Sequence, residues 1–230
     1  MRSALCAPCL QASPLRSRSA NIGEGGKPVV RPYTPISAPD ARGHFDLLVK
    51  AYPNGVMSKH FASLKVGDTL ECKGPMMKLE YRANMKTAIG MVAGGTGITP
   101  CLQVIEEVLR NPEDKTQLSL VFGNVSEEDI LLKQRLDALA KKHPAQLSIL
   151  YVLDKPPLLK KWSGGAGFIT PAMLKERLPK PAEDTLILVC GPPGLMASVS
   201  GGKDPKDYSQ GVLAGALKTL GYNEQMVLKL

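Results

Sequence analysis

Four nearly continuous apolar runs constrain this chain more than anything else in it: Ala88 to Ala93, Leu118 to Phe122, Leu147 to Leu153 and Leu186 to Cys190. Unbroken runs of that length, as opposed to alternating ones, are what strands covered on both faces require. The stretches between them carry helical spacing. Leu102, Ile105 and Leu109 share a face of a helix predicted over Pro100 to Arg110, and Ile130, Leu131 and Leu139 do so over Glu127 to Lys142. Pro171 to Leu178 reads as a third helix, and Gln210 to Leu220 as a last one with Gly221 as its stop. Strands alternating with helices predict right-handed crossovers and an α/β doubly wound parallel sheet over residues 85–230. Such a sheet binds its ligand beyond the carboxyl ends of its strands.

Before Asn84 the pattern is different. Residues 27–84 contain short strand-like pieces, Phe45 to Val49 and Thr69 to Lys73, with a helical turn from Ser58 to Leu64 between them. Pro39-Asp40, Arg42-Gly43, Pro53-Asn54-Gly55 and Gly67-Asp68 punctuate them, as in a small antiparallel barrel or sandwich, here an incomplete one. Residues 1–26 are small, polar and basic, with no strand pattern, and read as a disordered or targeting remnant. Two domains in 230 residues with 43% apolar content is also what length alone suggests.

Charge and cysteine usage narrow the class. The formal charge is +8, with Arg2, Arg16 and Arg18 placed before the first acid, Glu24. The positives are dispersed and not interleaved with aromatics, so a nucleic-acid partner is not expected, whereas an acidic protein partner is. Five scattered cysteines argue for a reducing compartment and against a disulfide framework. Cys6-Ala7-Pro8-Cys9 has redox spacing but no strand before it and no second pair, and His44, His60 and His143 do not cluster, so no metal site is expected. No apolar run is long enough for a membrane span. A monomer is the expected state.

Three segments carry the chemistry. Arg31-Pro32-Tyr33-Thr34-Pro35-Ile36-Ser37 puts an arginine, an aromatic ring and hydroxyls on an extended, proline-stiffened stretch, which suits a planar cofactor bearing a diphosphate, as a flavin does. Gly94-Gly95-Thr96-Gly97-Ile98-Thr99-Pro100 follows a strand and opens a helix, with Thr99 expected as N-cap and Pro100 at the first helical position. Its backbone N–H groups would face an incoming anion. Cys190-Gly191-Pro192-Pro193 follows the last strand. Each has an ordinary reading: a tight turn, an edge strand, a buried small thiol. Asp154, at the end of Leu147 to Leu153, can hold the ribose hydroxyls of an adenosine and repel a 2′-phosphate, favouring NADH over NADPH; a solvated turn residue is its plain alternative.

In that order the three segments resemble the ferredoxin reductase superfamily, and the residues around them, from about Val29 to Leu230, are similar to the NADH-cytochrome b5 reductase family. The resemblance implies a two-domain flavoprotein holding FAD and NADH, with cytochrome b5 or a similar acidic haem protein as electron acceptor. It puts Arg31 on the FAD diphosphate, with Pro32 and Ser37 in the same segment, Tyr33 against the flavin ring and Thr34 near its N5. Leu48 and Lys50 would line the flavin, Lys50 also near NADH, and Met57 and Ser58 would cap the FAD phosphates. Gly94, Gly95, Thr96 and Gly97 would cradle NADH, with Thr99 on the flavin side. Cys190 would lie beside the nicotinamide, and Gly191, Pro192, Pro193 and Met196 would complete that edge. Thr34, Lys50 and Cys190 are the implied catalytic residues.

Departures from the family pattern are Val56 where a basic residue is usual, Gly194 in place of a third proline, and the ending Leu228-Lys229-Leu230 in place of Phe-x-Phe. Gly194, with Ser200-Gly201-Gly202-Lys203 and Ser209-Gln210-Gly211, resembles the mitochondrial branch. The acid-free basic first stretch agrees with a mitochondrial location, the alternative being the cytoplasmic face of a membrane through an anchor. The family has further barrel strands before Arg31, so the sequence reads as N-terminally truncated and FAD is expected to be held weakly. The other readings left open are the reductase module of a nitrate reductase and a non-catalytic NADH-binding remnant.

Overall fold

The computed structural model describes residues 28–157, 161–204 and 207–230, together with the backbone of 15–19. The chain separates into two compact units, residues 1–81 with 102–104, and residues 82–101 with 105–230. The sequence expectation placed the break after Asn84.

The first unit is built on a small antiparallel sheet of β1 (Leu15–Ser19), β2 (Val29–Tyr33) and β3 (Glu71–Lys73), in the order β2-β1-β3. Leu15 pairs with Tyr33 and Ser19 with Val29, while Arg16 pairs with Lys73 on the other side. β1 corrects the expectation that residues 1–26 hold no strand. The rest of that stretch lies outside the described residues. β2 lies at the edge of this sheet, the position where a proline such as Pro32 is tolerated. The strand predicted over Phe45 to Val49 is reduced to one bridge, Pro35 to Leu47, with Ile36 N–H donating to the Asp46 carbonyl at 2.9 Å. Pro35 has no N–H to extend that ladder, and Phe45 is left exposed. The predicted helical turn is α1 (Val56–Ser63).

The second unit carries a six-stranded sheet. Its strands are β4 (Ala88–Gly94), β5 (Gln117–Asn124), β6 (Leu147–Leu153), β7 (Gly165–Ala166), β8 (Thr185–Cys190) and β9 (Val227–Lys229). They lie in the order β7-β6-β5-β4-β8-β9, every pairing parallel. The helices are α2 (Ile98–Arg110), α3 (Lys133–Lys142), α4 (Pro171–Arg177), α5 (Pro193–Val199) and α6 (Gly215–Thr219). All four apolar runs are strands, as their composition demands. Ile89, Met91, Leu120, Phe122, Leu153 and Leu188 are essentially inaccessible, and each such side chain contributes roughly 1.5–3 kcal/mol of burial.

Two helices are shorter than predicted. The segment before α3 turns through Ser126–Ile130, and Leu132 sits at φ 58°, a left-handed residue that starts the helix late. Of the predicted last helix only Gly215–Thr219 is helical, and Gly221 does stop it. The chain runs outward from β4 through β5, β6 and β7, then returns to β8 on the other side of β4. The switch point therefore lies between β4 and β8, and Ala93 pairs with Cys190 across it.

Candidate functional site

In the first unit the sequence-predicted flavin residues occupy two facing segments. Arg31, on β2, is exposed and donates from Nη1 to the Val30 carbonyl at 2.8 Å, using one of its five donors. Pro32 is exposed beside it. Tyr33 is half-buried, its ring edge-on to Phe61 of α1 at 4.8 Å and 68°. Burial pushes its hydroxyl pKa up and the neighbouring Arg31 charge partly offsets this, so the phenol stays neutral. Thr34 follows, 9% exposed. Ser37 Oγ accepts the Asp46 N–H at 3.1 Å, which ties this segment to the one bearing Leu48 and Lys50, both half-buried.

Met57 and Ser58 stand in the first turn of α1. Met57 is packed at 3% exposure, and the Ser58 hydroxyl closes the turn before α1, donating to the Gly55 carbonyl at 3.2 Å and accepting from Tyr52 N–H at 3.1 Å. An anion at this end of α1 would meet backbone N–H groups, since no side chain caps the helix, and exposed Val56 adds no charge there. An arginine with donors to spare, a half-buried ring and an uncapped helix start fit the diphosphate and ring of FAD.

In the second unit the glycine segment and the cysteine segment meet. Gly95 to Gly97 form a single 3-10 turn, so α2 starts at Ile98 with Gly97 as its N-cap. Thr99 is therefore not the N-cap and Pro100 not the first helical residue. Thr99 is buried and its hydroxyl donates to the Thr96 carbonyl at 3.1 Å. Gly95 has φ +51° and faces open space. Gly97 lies against the backbone of Cys190 and Gly191, where any Cβ would overlap the Cys190 carbonyl. Gly94 is equally close to Pro192 and Leu195, at 2.9 and 2.8 Å from an added Cβ, and one on Gly191 would stand 3.2 Å from Gly94 N. Two segments nearly a hundred residues apart thus form one crevice wall of bare backbone, which lets a ligand approach N–H groups closely.

The remaining strand ends complete it. Burial pushes the Cys190 thiol up to about 11, against the opposing charge of Lys203, so it is neutral at physiological pH. Pro192 and Pro193 are exposed at the start of α5, and Met196 is buried with Val199 and Leu217. Asp154 is exposed just past β6, its N–H bonded to the Asn124 carbonyl at 3.0 Å, and slight burial pushes its carboxyl up against the charge of Lys155.

Two further residues at these ends gave no sequence signal. Asn124 closes β5 with its side-chain amide buried and without a hydrogen-bond partner, an arrangement that costs about 1–3 kcal/mol until a partner arrives. Phe168 is 79% exposed beside the end of β6, where Gly167 N–H donates to the Leu153 carbonyl at 2.8 Å. An asparagine ending a strand and an aromatic in a glycine-rich loop both look like ordinary turn residues. Across β8, β4, β5 and β6 the ends thus present a neutral thiol, a glycine turn, an orphaned amide and a carboxylate. They span three strand spacings, about 14 Å. That extent and sequence of donors fit a dinucleotide better than a lone phosphate. Among the described residues no cluster of side chains could hold a metal ion.

Comparison with known proteins agrees with this division. An oxidoreductase FAD-binding domain family matches residues 19–81, and an oxidoreductase NAD-binding domain family matches residues 91–201. The NADH-cytochrome b5 reductase-like protein of Arabidopsis thaliana is 60% identical over 203 residues, covering 88% of this chain and 61% of its own. NADH-cytochrome b5 reductase 1 of Dictyostelium discoideum is 49% identical over 203 residues, covering 88% of this chain and 65% of its own. The chain thus spans somewhat under two thirds of the length of these relatives. The cytochrome b5 reductase domain of Ulva prolifera nitrate reductase superposes with a TM-score of 0.81 at 32% identity, over 96% of this chain and 84% of that one. With an oxidoreductase FAD-binding domain followed by an NAD-binding domain and identity at these levels, the chain belongs to the NADH-cytochrome b5 reductase family.

Proposed function

We propose that this chain takes a hydride from NADH and delivers single electrons to cytochrome b5 or a similar acidic haem protein, with FAD as its resident cofactor. The observation that carries the reading is the close packing of Gly94 and Gly97 on Cys190 to Pro192 at the switch point, which builds a nucleotide crevice with a neutral thiol at one end. Bound FAD supplies the conversion of a two-electron donor into one-electron steps, a chemistry no side chain has.

The chain's own residues bind and orient. Arg31 would offer a bidentate fork to the diphosphate, and the N–H groups at the start of α1 would be further donors to it. Tyr33, braced by Phe61, gives a flat half-buried surface for the flavin ring, and Thr34 and Lys50 lie on the paired segments beside it. On the nucleotide, the glycine turn takes the diphosphate, Asp154 the adenosine ribose, and the exposed Phe168 ring offers a stacking face for the adenine. The neutral Cys190 thiol adds no charge of its own at the nicotinamide end. The surplus of lysine and arginine, +8 in formal charge, favours encounter with an acidic acceptor, and the reading includes a monomer.

A mitochondrial location is part of this reading, supported by the basic, acid-free run that begins the sequence, and cell fractionation with organelle markers tests it. No helix among the described residues is long and apolar enough to cross a membrane. The activity itself is tested by NADH-driven reduction of cytochrome b5 in the presence of FAD. Turnover that depends on both nucleotide and flavin is expected. Tight binding of both with no transfer to any haem acceptor would leave a binding module and refute the reading.

A further inference from the structure

The loop after α5 is held more firmly than a simple connection requires. Its outgoing limb, Ser200–Asp204, and its returning limb, Ser209–Ala214, are joined by Ala214 N–H to the Ser200 carbonyl at 3.0 Å and Asp204 N–H to the Ser209 carbonyl at 3.2 Å. Between these bonds the Lys229 ammonium, on a residue only 2% exposed, donates to the Gly202 and Val212 carbonyls, each at 3.0 Å. The Gln210 side chain then grips the Lys229 backbone both ways, accepting its N–H at 2.7 Å and donating to its carbonyl at 3.0 Å.

A buried ammonium is costly, and burial pulls the Lys229 pKa below its ordinary value; an apolar side chain could fill this place without that penalty. What the ammonium achieves is placement. Lys229 pairs with Val189, the residue before Cys190, and Leu230 N–H donates to the Val189 carbonyl at 2.9 Å. Gly202 is thereby fixed beside the end of β8, and the next residue on the outgoing limb is half-buried Lys203. The Cys190 thiol feels the Lys203 charge, which opposes the upward push of burial.

We propose that Lys203 is a charge-selecting residue at the Cys190 end of the crevice, and that Lys229 is the positioning residue that holds it there. The inference rests on the reading that the nicotinamide ring binds beside Cys190. The ring of NADH is neutral and that of NAD+ is cationic, while the rest of the two nucleotides is the same. An ammonium carried at that end therefore disfavours the oxidised form alone and helps it leave. Any contact Lys203 makes to the phosphates cancels in the ratio of the two affinities.

The test uses the full chain as the native protein, Lys203→Met, Lys229→Met and the double variant. Kd is measured for NADH by nicotinamide fluorescence and for NAD+ by calorimetry. Alkylation of Cys190 by iodoacetamide at one fixed pH, without nucleotide, is followed by peptide mass spectrometry. Lys203→Met is expected to lower Kd(NAD+)/Kd(NADH) by about three- to tenfold, the scale of one screened charge pair in a partly solvated cleft. It should also slow Cys190 alkylation, since a nearby cation favours the thiolate. Lys229→Met should do the same and the double variant should add nothing further, whereas additive losses would overturn the positioning role. If Lys229→Met does not fold, Gln210→Ala, which frees the Lys229 backbone and spares its charge, replaces it. An unchanged affinity ratio overturns charge selection. With alkylation still slowed, the ring placement is what failed; with alkylation unchanged too, the placement of Lys203 is wrong.

Discussion

Arg31 lies exposed on β2, and its one hydrogen bond among the described residues goes to the Val30 carbonyl. Arg31→Ala should weaken FAD binding tenfold to a hundredfold, the loss of one charge-assisted contact of about 1.5–3 kcal/mol. Flavin fluorescence titration measures it, and unchanged affinity would remove Arg31 from the site. Asp154 makes its prediction through repulsion. Its carboxylate stands exposed beyond β6, so Asp154→Ala should raise kcat/KM with NADPH relative to NADH, on the order of tenfold, by removing a like charge facing the 2′-phosphate. A solvated turn residue would leave that ratio where it was. Both residues can be singled out from the sequence because their chemistry shows in their identity and position. Asn124 cannot, since the burial of an amide at a strand end, like the seating of the Gly202 carbonyl on a distant Lys229, arises only on folding.

Among the elements, the four parallel strands were legible from their apolar runs, and the two turns that follow β4 and β8 from their glycines and prolines. Elements whose stability comes from partners were not. β9 ends on a lysine, and nothing in Val-Leu-Lys announces a strand without β8 and Gln210 to receive it. α5 begins at Pro193, a favourable first helical residue, in a segment that reads as a turn. β1, Leu-Arg-Ser-Arg-Ser, has little strand propensity and is paired on both sides. The glycine turn makes the sharpest prediction at this scale. Gly97 keeps ordinary helical dihedrals, so its need for glycine comes from contact with the Cys190 carbonyl and not from φ. Gly97→Ala must push the ends of β4 and β8 apart, costing about 1–3 kcal/mol by thermal denaturation, and NADH affinity should fall with it. A variant of native stability that binds NADH normally would show that the two segments do not share a wall.

For the whole molecule, the switch in strand order between β4 and β8 is what turns separate motifs into a site. It places Cys190, the glycine turn, Asn124 and Asp154 along consecutive strand ends, while a separate unit carries the arginine, ring and helix start suited to a flavin. The sequence separated the two kinds of unit because helical and strand periodicities change near residue 85. It could not show which side of β4 the last strands join, since that choice is made by long-range pairing. The claim that these parts form one hydride-accepting machine is tested most directly by anaerobic stopped-flow mixing of the FAD-loaded chain with NADH, following the yellow flavin absorbance. The account predicts fast, complete bleaching with NADH and much slower bleaching with NADPH; flavin colour that persists while NADH is demonstrably bound would contradict it.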